Sequence, residues 1–86
     1  MDEVTEVHIH AIPLWLLREY LEELGGRAQS ETEVAGDGWR AELLKLPDRH
    51  IGSLRIGLVQ VTLTGEAAAL ARLRPNLDRK TMRAGA

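Results

Sequence analysis

His8 and His10 stand two residues apart in the run Glu6-Val7-His8-Ile9-His10-Ala11, and this spacing is the first place where chemistry is legible. In an extended chain alternate residues share a side, which puts the two imidazoles about 7 Å apart at Cα and lets them share one metal ion. Glu6 extends the row, and His50 supplies a third nitrogen if its loop folds over. A metal site needs three or four ligands, whereas this run guarantees two. The plainer expectation is a solvated pair on an open sheet face, because His-x-His recurs by chance.

Other residue types narrow the chemistry further. The chain holds no cysteine, which removes disulfides, thiolate metal sites and thiol nucleophiles. Ser30 and Ser53 lack a nucleophile context, and Lys80-Thr81 follows Arg79 rather than the glycine of a phosphate-binding loop. No catalytic residue and no cofactor is assigned. Trp15 falls in the arc of a helix otherwise occupied by charge, next to Arg18, so the two form a candidate contact with a partner; the competing reading is that Trp15 stacks on Arg18 or packs against the loop after the fourth strand in the same molecule. Arg72, Arg79, Lys80 and Arg83 form a basic C-terminal group that meets phosphates in an accessory nucleic-acid binder. No aromatic residue follows Trp39, which weighs against nucleic acid and favours a solvated tail.

The elements that must position these residues follow from periodicity. Val7, Ile9 and Ala11 alternate with Glu6, His8 and His10, the mark of a strand with one buried face. Pro13 opens a helix whose Leu14, Leu17, Leu21 and Leu24 recur at three and four residue steps before Gly25-Gly26 ends it. Residues 28–34 read as one strand, Gly36-Asp37-Gly38 as a hairpin turn, and Trp39, Ala41 and Leu43 as the next strand. A loop is expected from Pro47 to Gly52. Leu54 and Ile56 lie on one parity and Val59, Val61 and Leu63 on the other, which reads as a β-bulge beside Gly57. Leu70, Leu73 and Leu77 make a second helix with a break or kink expected near Arg74, before Pro75.

The expected architecture is α+β: a two-layer sandwich in which a four-stranded, mostly antiparallel sheet carries two helices on one face, in the order β-α-β-β-β-α. Its core is Leu14, Leu17, Leu21 and Leu24 on Val7, Ile9, Leu43, Ile56, Val61 and Leu70. Residues 1–78 form one domain and residues 79–86 a basic tail.

With 86 residues and a net charge of −2, the chain has one small core. Small size favours pairing, so a homodimer is expected, through the helix face around Trp15 or a sheet edge. The acidic start is unlike a signal peptide and no apolar run spans a membrane, so a cytoplasmic, membrane-free protein is expected. Nine Arg against two Lys hints at a thermophilic source.

The element order resembles half of a TATA-binding-protein-like repeat. The stretch Arg79-Lys80-Thr81-Met82-Arg83-Ala84-Gly85 after a short leucine helix resembles small uncharacterised domains of thermophilic bacteria. Both resemblances imply a small α+β fold and no activity. The sequence thus points to a non-catalytic interaction or oligomerisation module, with a metal or anion binder at His8 and His10 as the alternative.

Overall fold

A computed structural model describes residues 3–85, with side chains through Met82. The elements are β1 (Glu3–His10), α1 (Leu14–Glu23), β2 (Arg27–Ser30), β3 (Glu33–Gly36), β4 (Trp39–Ile51), β5 (Leu54–Glu66) and α2 (Ala67–Gly85). All five strands join one sheet in the order β1-β5-β4-β3-β2, and every neighbouring pair is antiparallel.

The sheet therefore has five strands rather than four. The extra strand arises because the stretch expected as one strand over 28–34 folds back on itself. At its middle the Thr32 amide donates to Ser30 Oγ at 3.2 Å, so a side chain takes the place of a ladder partner and the chain turns.

The loop expected at Pro47 is also strand. β4 runs on to Ile51, with its register slipping against β5 between Leu46 and Arg49. Proline cannot donate to a ladder, and the irregularity places Pro47 where no ladder bond is required. The bulge expected beside Gly57 is there, with its extra residue on the partner strand: Pro47 and Asp48 of β4 stand against the single Gly57 between the pairs Leu46–Leu58 and Arg49–Ile56.

α1 ends as its glycines require. Gly25 has φ +103, and the amides of Gly25 and Gly26 donate to the carbonyls of Glu22 and Leu21 at 3.1 and 3.0 Å. These two bonds close a Schellman turn, which a residue with a Cβ enters only under strain. α2, by contrast, is not broken at Pro75; helix runs from Ala67 to Gly85. The carbonyl deprived of its bond by Pro75 belongs to exposed Ala71, so the lost bond leaves no polar group buried without a partner. The boundary expected at residue 79 falls inside this helix.

Both helices lie on one side of the sheet. Leu17 and Leu21 from α1 and Leu70, Leu73 and Leu77 from α2 meet Val34, Ala41, Leu43, Val59, Val61 and Leu63. Leu14 and Leu24 pack at the margin of this cluster. Val7 and Ile9 do not belong to it. Each is 57% exposed, and Ile56 is only half-buried, out on the β4–β5 hairpin. β1 is turned over relative to the expected parity: Val4, Glu6, His8 and His10 alternate as its more buried residues, and Ile12 just beyond it is buried. Val4 and Ile12 anchor the two ends of this row, while Arg74 of α2 neutralises Glu6 in its middle, so a polar row can face the helices.

Beyond the helices, β4 and β5 continue as a two-stranded ribbon. The molecule extends 47 Å along one axis and 24 and 22 Å along the others. Its surface of 5632 Å² exceeds the roughly 5,100 Å² expected for a compact monomer of its mass.

Candidate functional site

Two places gather residues beyond what the fold needs. The first is the polar row of β1 beneath α2. Arg74 donates through Nε to Glu6 Oε1 at 2.9 Å and through Nη2 to Oε2, a two-pronged contact, and His8 Nε2 lies 3.2 Å from Glu6 Oε1. The hydrogen bond from Arg74, aided by His8, holds the Glu6 carboxyl below its ordinary value of 4.5 despite partial burial. A carboxylate with a depressed value stabilises the fold above the unfolded pKa and ceases to do so as acid protonates it.

The His8 and His10 rings stack with centroids 6.2 Å apart and planes 24° from parallel. His10 Nε2 is buried with no hydrogen-bond partner among the described residues. Burial pushes His10 below its ordinary value of 6.5, His8 beside it adds to the effect, and Asp78 opposes it. The sign then follows. The unfolded chain takes up a proton near pH 6.5 and the folded chain only at lower pH, so stability falls as pH drops below 6.5. In denaturant unfolding the wild type should lose midpoint between pH 7.5 and 5.5, and His10→Gln should lose less. Equal losses in the two proteins would remove His10 as the cause.

Beside His10 a depression of about 400 Å³ is lined by Ala11, Ile12, Asp78, Thr81 and Met82, among others. The Thr81 hydroxyl donates to the helix carbonyls of Leu77 and Asp78. Among the described residues no three His, Cys, Asp or Glu side chains converge to hold a metal ion. His50 does not join the pair: it is opposite Arg55, four residues along β5 from the Val59 that faces His10, a separation of about 13 Å.

The other expected site residues are dispersed. Trp15 is 56% exposed on α1, while the Arg18 guanidinium reaches away to the Glu31 carbonyl at 3.0 Å. Arg72 and Arg79 share an exposed stripe of α2 with Asn76 between them, and Arg79 donates to the Asn76 side chain. Lys80 turns back onto α1, 2.8 Å from Glu23 and over the Tyr20 ring at 5.5 Å. The Arg83 side chain lies outside the described residues.

The second place, missed in the sequence, is the sheet face that carries no helix. Register puts Thr5, Val7 and Ile9 on it opposite Thr64, Thr62 and Gln60, and those opposite Arg40, Glu42 and Leu44. Along the ribbon the same face continues through the pairs Leu46–Leu58, Arg49–Ile56 and Ile51–Leu54. Lys45, Asp48 and Arg55 form an ion-paired group on the opposite side, with Lys45 Nζ 2.8 Å and Arg55 Nε 3.4 Å from the Asp48 carboxylate. Apart from Arg49, the ribbon is thus apolar on one side, and it is charged on the other. The parity change near Gly57 marks where the apolar side of β5 passes from the helix-covered face to the open one. Alternation of apolar residues on both sides of that point carried this signal in the sequence.

A family model described as archaeal MoaD-like protein matches residues 5–86. No curated protein matches the sequence. Among the described residues no helix is long and apolar enough to cross a membrane. Because the matched span takes in nearly all of the chain, with parts of all five strands, both helices and the open face, the chain belongs to the archaeal MoaD-like protein family.

Proposed function

We propose that this protein is a non-catalytic interaction module, and that its docking surface is the open face of the sheet together with the apolar side of the ribbon. One observation carries the reading. Of the seven large hydrophobic side chains more than half exposed among the described residues, Val7, Ile9, Leu44, Ile51 and Leu54 lie on this single face. Large exposed apolar side chains scattered singly are ordinary on a protein surface; several gathered on one face mark a contact site. Two-stranded ribbons are also marginal by themselves in water, and covering one side supplies what the ribbon lacks.

The remaining two residues of that set are Trp15 and Met82, on the helices. Trp15 supports a second reading, in which α1 is the contact surface. The two separate by the size of the assembly that a tagged chain forms in extract of its own cell. A mass well above 9.6 kDa that collapses in Leu44→Asp and persists in Trp15→Ala supports the sheet face. Collapse in Trp15→Ala alone supports the helix.

A further inference from the structure

We infer that the occupant of the open face is a second copy of this chain, stacked face to face about a two-fold axis, with Glu42 of each copy against Arg49 of the other. The inference rests on the open face being the docking surface. It goes further by fixing the partner and the register.

The order of residues on β4 carries it. Corrected for the slip between Leu46 and Arg49, the side chains that β4 presents on the open face run Arg40, Glu42, Leu44, Leu46, Arg49, Ile51. The middle four read acid, apolar, apolar, base. Turned end for end, that series is its own complement: Leu44 meets Leu46 of the second copy, and Glu42 meets its Arg49. A two-fold interface demands this reciprocity, since whatever residue i contacts must itself be contacted by i on the other side.

Charges within one copy leave the partners available. Arg49 is exposed and makes no ion pair among the described residues. Glu33 stands directly opposite Glu42 on neighbouring strands, a like-charge arrangement that destabilises a bare sheet. Arg40 approaches Glu42 only to 3.8 Å, with both side chains more than half exposed. Beside these carboxylates a depression of about 390 Å³ is lined by Glu33, Glu42, Leu44, Gln60 and Thr62. A guanidinium entering from outside offsets the repulsion between Glu33 and Glu42, and in the two-fold register Arg49 arrives there.

The dimensions suit a pair of copies. β4 and β5, with 13 residues each, give a face about 43 Å long and 10 Å wide, and the eight residues of β1 widen it by about 5 Å over about 26 Å, a flat footprint of about 540 Å². Stable interfaces bury about 800 Å² of accessible surface per partner, and accessible surface exceeds its flat projection. Two such faces packed about 10 Å apart form a four-layer assembly with helices outside and the ribbons of the two copies crossing each other's sheets.

Sedimentation of the purified full chain tests this by charge exchange. The wild type should be a dimer of 9.6 kDa chains at micromolar concentration. Glu42→Arg and Arg49→Glu should each weaken association at least tenfold, and the double exchange should restore it to within about threefold. Both positions are exposed, and Glu42→Arg relieves the contact with Glu33, so the variants should keep wild-type circular dichroism. A wild type that stays monomeric at 100 µM overturns the second copy as occupant, even where Leu44→Asp still shrinks the assembly found in cell extract. A dimer that Leu44→Asp dissociates but neither charge variant weakens overturns the register and leaves the face standing. A dimer indifferent to Leu44→Asp overturns both.

Discussion

Leu21→Ala should lower the free energy of unfolding by about 3 to 5 kcal/mol. Leu21 is fully buried on the inner face of α1, in the cluster it shares with Leu17, Val34, Trp39 and Leu70. Truncation removes three carbons from water-free packing and leaves a cavity that a rigid sheet on one side and a second helix on the other cannot collapse. A chain of this size has a total stability of only about 5 to 8 kcal/mol, so the variant should be close to half unfolded at modest denaturant. Urea unfolding followed by circular dichroism checks it; a loss under about 1 kcal/mol would contradict the packing described.

Gly65→Val should be nearly as damaging for the opposite reason. Gly65 pairs with Trp39 on β4 and Val4 on β1, and a Cβ there would meet the Trp39 Cα at 2.7 Å and the Gly38 carbonyl oxygen more closely still. Both obstacles are backbone, held in place by the Glu66 amide donating to that same Gly38 carbonyl at 2.9 Å. A flexible side chain could swing aside, but the turn cannot. Overpacking of this kind costs about 3 kcal/mol. The matched control is Gly52→Ala at the ribbon tip, where no atom lies within 4 Å of the added Cβ and only its φ of +62 resists. Its cost should be about 1 kcal/mol. Equal melting temperatures for the two variants would contradict the close approach.

The parts of the fold visible in the sequence were those set by a single periodic stripe. The leucines of α1 and α2 named the helices and their buried sides, and Gly25-Gly26 named the end of α1. Two strands were misjudged for a shared physical reason. Alternation tells that a strand has two unlike faces, but not which face the helices cover. In β1 the choice fell to residues outside the alternating run, Val4 and Ile12 at its ends and Arg74 sixty-eight positions beyond Glu6. Val7 and Ile9 therefore look outward although they are the apolar members of the run. In β5 the same ambiguity put Ile56 in the core, although the parity change at Gly57, across from the extra residue of β4, carries it to the open face.

The candidate site was hidden by the first of these errors. Placing Val7 and Ile9 in the core makes the open face a row of Glu and His, whose chemistry is metal binding. With the strand turned over, the histidines lie under α2 and the apolar residues join Leu44, Ile51 and Leu54. Pro47-Asp48-Arg49 hid the rest, because proline between charged residues reads as a loop. Local sequence could not show that the chain on either side pairs with β5 strongly enough to carry the strand through.

Whether the open face is covered can be measured at one atom. The natural chain has no cysteine, so Leu44→Cys introduces a single thiol at the centre of the face, and Trp15→Cys places one on α1 as reference. The rate of thiol alkylation is followed as protein concentration rises from nanomolar to tens of micromolar. The account predicts a rate at position 44 that falls at least tenfold over this range while the rate at position 15 stays constant. A constant rate at 44 with protection growing at 15 would contradict it.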